Sequence, residues 1–284
     1  MVDPDVVDRI ASASAEELAA ALGIPRGRAV DRALGLASLP LARALARFDD
    51  ITRQRGVASA AADLLGRRGV SLRIQGDPPA GPGLVLVNHP GAWDAIALMA
   101  ACGRREVSIV ANDRAFLRAI PSLERLLLFV PEQGGALERA RATREVVRRI
   151  RAGGLVVHFG AGCIEIDPAF DSLEEPSWAR GSGHLARAAL GAGGAVTPAL
   201  VWGVHAARAK HMRLVRALEA RGLGMIAPLA QVALPRALPV RATVAFGAAL
   251  AARDLEELIA AHDDEALTRA LAARSYALFA SRPG

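Results

Sequence analysis

The chain has 284 residues, 52% of them hydrophobic, enough for one large core, yet only 4% are aromatic, so aliphatic side chains and alanine must fill it. Its two cysteines, Cys102 and Cys163, exclude a disulfide framework. The net charge of +6 is carried by arginine apart from Lys210, with no basic stripe interleaved with aromatics, which argues against nucleic acid and leaves an anionic membrane surface or a phosphorylated substrate as the partner such charge favours.

The N-terminal MVDPDVVDRI is acidic and lacks the basic-then-apolar order of a signal peptide. No apolar run reaches the roughly 18 residues of a spanning helix. The expected location is therefore cytoplasmic, with a peripheral position on the inner face of the cell membrane as the variant an amphipathic face would allow.

Residues 1–69 read as an N-terminal helical region. Ser14-Ala15-Glu16-Glu17 resembles a helix start and Gly23-Ile24-Pro25 a stop. A second helix is expected from about Arg26 to Phe48 and a third from about Thr52 to Leu65. The tract is rich in alanine and offers no obvious chemistry.

From Val70 to the end the pattern changes, defining a second region over 70–284. Short apolar runs read as strands at 70–74, 84–88, 107–111, 126–130, 155–159, 195–202 and 241–247. Between them lie helices at 93–101, after Asp113, at 136–151, 178–190 and 205–221, and a last helix spans 254–279. Strands alternating with helices predict an α/β fold, a mostly parallel mixed sheet flanked by helices, preceded by the N-terminal helical segment.

In such a sheet ligands bind beyond the carboxyl ends of the strands. Four segments follow strand ends: Asn88-His89-Pro90-Gly91, Ala111-Asn112-Asp113-Arg114, Pro131 to Gly135, and Gly160-Ala161-Gly162-Cys163. If their strands are parallel neighbours, the four loops share one edge.

The first of these carries the most chemistry. LVLVNHPGAWDAI ends a buried strand on His89 and returns Asp94 in the first turn of a helix. A turn through Pro90-Gly91 brings the two within hydrogen-bond reach, where the carboxylate fixes the ring tautomer and raises the basicity of the other nitrogen. The helix N-terminus adds a positive dipole beside a developing oxyanion. No G-x-S-x-G elbow is present, so the nucleophile is expected to be the substrate's own hydroxyl. A His-x4-Asp pair alone arises often by chance; its position between strand and helix is what gives it weight.

Taken with LVVHFGAGCIE at 155–165 and VTPALVWG at 196–203, in this order, the segment from about 70 to 205 resembles the glycerolipid acyltransferase family, which acylates glycerol 3-phosphate and lysophosphatidic acid. The resemblance implies that His89 is the general base on an acceptor hydroxyl and that Asp94 orients it. It implies backbone amides near Gly91 and Gly162 at the oxyanion, and Val196-Thr197-Pro198 as a wall of the acyl pocket. The donor would be an acyl thioester on coenzyme A or acyl carrier protein, the acceptor a lipid-like hydroxyl, and no cofactor or metal is implied.

The pattern also departs from the family. LFVPEQGG has no arginine before Arg139, and Gly162-Cys163-Ile164 stands where Gly-Thr-Arg is usual. The family's glutamate position is Ala161, with Glu165 four residues on. A phosphate clamp would then come from Arg114, Arg139 or Arg180, with Arg180 and Glu165 as substrate-side candidates. The helix bearing Arg139, Arg141, Arg144, Arg148, Arg149 and Arg151 reads as a solvated face, or more sharply as a membrane or acyl-carrier contact. His158 reads as a satisfied core histidine, and Cys163 as a small buried thiol rather than a nucleophile. Two other functions fit the same scaffold: a thioesterase or hydrolase using water or Cys163, and a catalytically lapsed lipid-binding protein.

Overall fold

The computed structural model describes residues 3–21, 23–25, 27–91, 93–131, 135–170, 178–206 and 237–280. Among these residues seven strands form one sheet: β1 (Val70–Gln75), β2 (Gly83–Val87), β3 (Ser108–Asn112), β4 (Leu127–Val130), β5 (Leu155–Phe159), β6 (Ala195–Trp202) and β7 (Val240–Phe246). Their order is β1-β7-β6-β2-β5-β3-β4. β6, β2, β5, β3 and β4 run parallel, while β7 is antiparallel to β6 and β1 follows β7. The fold is therefore α/β with a mixed, mostly parallel sheet.

β2 is central, which explains its unbroken apolar run: every one of its residues is buried. Val85 and Val87 face one core, Leu84 and Leu86 the other. The first core also takes Ile10, Phe48, Ala60 and Leu64 from the N-terminal helices, so these pack on the sheet rather than on each other alone. The second is closed by Val146 and Ile150 of α7 (Ala136–Arg151), Leu185 and Ala189 of α8 (Gly181–Gly191), and Leu267 and Leu271 near the C-terminus.

Three helix boundaries differ from the sequence reading. α1 runs Pro4–Ala21 and starts at Asp3-Pro4 rather than at Ser14. The Asp3 carboxylate accepts from Asp5 N–H at 2.9 Å, and proline suits the first helical position because its missing donor is not needed there. α2 is one helix from Arg28 to Arg55, passing through Pro40 and the expected break near residue 50. It ends at Gly56, whose φ of +93 and approach to the Arg105 backbone (2.7 Å from an added Cβ) leave room only for glycine; α3 follows at Val57–Arg67.

The last expected helix is split. A short 3-10 turn (Ala252–Leu255) leads into α9 (Glu256–Ala260), and α10 spans Asp264–Ala280. The break is made by His262 in the left-handed region (φ 52) and by Asp263, which accepts from the amides of Glu265 and Ala266 at 2.9 Å each. Among the described residues, the shorter helices α4 (Asp94–Ala101), α5 (Ala115–Arg118) and α6 (Pro121–Glu124) complete the chain order. The helix read over 205–221 lies, from 207 on, outside the described residues. Among the described residues no helix is long and apolar enough to cross a membrane.

Candidate active site

Because β2, β3, β4 and β5 are mutually parallel, the loops that follow them stand in a row at one sheet edge. β6 adds its own exit, Gly203-Val204-His205, to the same edge. Of the loop after β4, residues 132–134 lie outside the described residues.

His89 leaves β2 at this edge, and Asp94 opens α4. Nδ1 of His89 lies 2.7 Å from Asp94 Oδ2. A carboxylate can only accept, so Nδ1 carries the proton and Nε2 is left with its lone pair outward. Asp94 is buried and is itself held by Gly91 N–H at 2.7 Å and Ala95 N–H at 2.5 Å. The His89 side chain keeps 29% of its surface, enough for a substrate hydroxyl to reach it. Burial works against the charged ring, but the hydrogen bond to Asp94 and the charges of Asp94 and Glu165 outweigh it and hold His89 above its ordinary value.

Four further contacts fix the turn that presents His89. Asn88 is fully buried and pairs with Val201 of β6, accepting from its N–H at 2.7 Å and donating to its carbonyl at 2.8 Å. His205 Nε2–H donates to the Pro90 carbonyl at 2.8 Å. The Phe159 ring lies 4.2 Å from the His89 ring, centroid to centroid. The loop after β5 is joined to His89 twice, by Glu165 N–H to the His89 carbonyl (2.7 Å) and by His89 N–H to Glu165 Oε2 (2.8 Å).

Several assignments change. The Glu165 carboxylate, expected on the substrate side, is engaged within the protein: besides His89 N–H, it accepts from the Trp178 indole at 3.2 Å and the Tyr276 hydroxyl at 2.7 Å. The amides of Gly91 and Gly162, expected at the oxyanion, are already engaged, with Asp94 and with the Phe159 carbonyl at 3.2 Å. Gly162 remains the exposed tip of its loop, at a φ of +69. Cys163 is exposed rather than buried; the buried thiol is Cys102, which burial pushes up to about 12.

The arginines spread out. Arg114 is exposed at the start of α5, after β3, two strands from β2 or about 10 Å at ordinary strand spacing. Arg180 is exposed at the start of α8, where its carbonyl accepts from Thr268 and its charge acts on Asp263. Arg139 is exposed near the start of α7. On that helix Arg148 and Arg149 pair with Glu145, and Arg149 also reaches Ser108 and the Arg125 carbonyl. A groove of about 490 Å³ lies between α7 and β4, and neither His89 nor Asp94 lines it.

His158 points to the opposite side of the sheet from Phe159. Ser182 Oγ donates to the Gly160 carbonyl at 2.8 Å, so it accepts from His158 Nε2–H at 3.2 Å. Burial lowers His158 to about 4. Among the described residues no group of three or more His, Cys, Asp or Glu could hold a metal ion.

Sequence reasoning missed Asn88, His205, Trp178 and Tyr276. His205 was findable, because it follows a parallel strand end just as His89 does. Tyr276 carried no local signal; it meets Glu165 across 111 positions of sequence.

Residues 71–202 match the family model described as Acyltransferase. Over this α/β segment the chain is similar to the acyltransferase family. The matched range begins in β1, ends with β6 and contains the His89–Asp94 pair. No curated protein matches the chain. Among solved structures, the 1-acyl-sn-glycerophosphate (LPA) acyltransferase PlsC from Thermotoga maritima is similar at 13% identity with a TM-score of 0.42, covering 98% of this chain and 95% of that one.

Proposed function

We propose that this chain transfers an acyl group from a thioester, acyl-CoA or acyl carrier protein, to the hydroxyl of a glycerolipid or lysophospholipid-like acceptor. The observation that carries the reading is the His89–Asp94 pair, with Nδ1 held and Nε2 open, inside the family-matched segment. The acceptor class rests on the resemblance of the motifs around residues 84–96 and 155–165.

The acceptor oxygen attacks the thioester carbon as His89 Nε2 takes its proton. The imidazolium so formed and the amino end of α4 offset the charge on the tetrahedral oxyanion. The carbon–sulfur bond then breaks, and the leaving thiolate takes the proton back from His89. Asp94 keeps its hydrogen bond throughout, stabilising the imidazolium. The chemistry so written consumes one thioester and one hydroxyl and needs no cofactor. A peripheral site on an anionic membrane fits a lipid acceptor and the exposed arginines of α7.

The test is thiol release from acyl-CoA with and without hydroxyl acceptors. Stimulation by lysophosphatidic acid or glycerol 3-phosphate supports the reading; release that ignores every acceptor supports a thioesterase instead.

A further inference from the structure

Glu165 sits at the junction of three parts of the chain that are far apart in sequence. One carboxylate oxygen takes the His89 amide; the other takes both the Trp178 indole and the Tyr276 hydroxyl. Trp178 precedes α8 and Tyr276 lies in α10, so the carboxylate ties the catalytic turn to both. The two rings meet edge-on, 6.3 Å apart, and close the cluster from the second core. Glu165 N–H and the His89 carbonyl complete a two-bond bridge between the loops.

We propose that Glu165, anchored by Tyr276 and Trp178, is a positioning residue that fixes the backbone of His89 and sets its working pH range. This rests on the acyl-transfer reading for its kinetic consequence, but the clamp itself does not. Among the described residues, the charged groups facing His89 are Asp94 from α4 and Glu165 from the loop after β5; His205, from the loop after β6, holds the neighbouring Pro90 carbonyl. Glu165 therefore acts on His89 in two ways. Its hydrogen bond sets where the ring stands, and its charge favours the protonated ring. Displacing a catalytic group by about 1 Å costs on the order of 100-fold in rate.

Tyr276 is the only tyrosine, which gives the clamp a readout of its own. Burial, then the hydrogen bond and charge of Glu165, raise its ionisation well beyond the ordinary tyrosine range. Tyrosinate absorbance is followed against pH in wild type, Glu165→Gln and Tyr276→Phe, with circular dichroism reporting folding in the same samples. The clamp predicts that wild type forms tyrosinate only as it unfolds, and that Glu165→Gln forms it at least about one pH unit earlier. Wild-type tyrosinate appearing near pH 10 in folded protein, or a titration unchanged by Glu165→Gln, overturns the proposal whatever the activity.

The kinetic arm uses acyl transfer. Glu165→Ala is expected to lose on the order of 100-fold in kcat, and Tyr276→Phe a few-fold, both with KM little changed. In Glu165→Gln the acid limb of the pH–rate profile moves to lower pH, because the carboxylate that favoured protonated His89 is gone. A loss of rate with the limb unmoved would reduce Glu165 to a stabilising role and contradict its part in setting the pH range. Should wild type transfer no acyl group at all, the functional reading falls while the tyrosine titration still decides the clamp.

Discussion

Asn88 pairs with Val201 as a backbone residue would: its side-chain amide accepts from Val201 N–H at 2.7 Å and donates to Val201 C=O at 2.8 Å. The amide thus extends the β2–β6 ladder by one position, at the point where the chain turns to present His89. Asn88→Ala leaves both Val201 groups unpaired in a buried setting, with an expected loss of about 2–3 kcal/mol in denaturant unfolding. Asn88→Asp does no better, since a carboxylate cannot donate to the carbonyl and a buried charge is added.

Asp94 carries charge, tautomer and turn geometry together. Asp94→Asn is expected to keep the fold but cut kcat by about 100- to 10,000-fold, because its amide can present a donor to Nδ1 and stabilise the wrong tautomer. Circular dichroism and steady-state kinetics on the same preparation check this. A variant with near-normal kcat would show that Nδ1 needs no carboxylate.

The pH–rate profile follows from the direction of the His89 shift. The general base proposed for His89 works unprotonated, so activity is expected to rise with pH as His89 loses its proton. Since His89 lies above 6.5, the midpoint of the acid limb is expected above 6.5 as well. A midpoint below that value would mean burial outweighs Asp94 and Glu165.

His158 bears on stability. Its value is about 4 in the fold against an ordinary 6.5, so the unfolded chain binds the extra proton between those limits. Stability from this residue is complete above about pH 6.5 and is lost as pH falls toward 4, up to about 3 kcal/mol. His158→Gln should lessen the acid loss relative to wild type across that window, as read by urea unfolding at several pH values.

Gly160 and Trp178 constrain one another. A Cβ at Gly160 would fall 2.2 Å from the Trp178 ring, so the position accepts no side chain while the indole stays. Gly160→Ala is expected to cost about 1–3 kcal/mol and to slow turnover by pushing on the partner of Glu165.

Most of the strands were legible in the sequence because they are short apolar runs bounded by turns; β1, at the sheet edge, reads instead by the alternation of Val70, Leu72 and Ile74 with polar residues. His89 and Asp94 were legible because a polar pair interrupts such a run at a strand end. The start of α1 was missed because Ser14-Ala15-Glu16-Glu17 imitates a cap inside a helix that Asp3 and Pro4 had already begun. Glu165 was placed on the substrate side because its loop follows β5 at the candidate edge; its side-chain partners include Tyr276 of α10 and Trp178, three residues before α8, and no local spacing encodes such a meeting. The engaged amides of Gly91 and Gly162 were equally invisible, since a motif names residues and not where their N–H groups point.

The most direct test of the central claim is free-thiol release from a panel of acyl-CoAs and acyl carrier protein thioesters, with and without lysophosphatidic acid, glycerol 3-phosphate and other hydroxyl acceptors, in wild type and His89→Ala. The account predicts acceptor-stimulated release in wild type that falls by at least about 1,000-fold in the variant. Release with no acceptor dependence, or release untouched by His89→Ala, would contradict it.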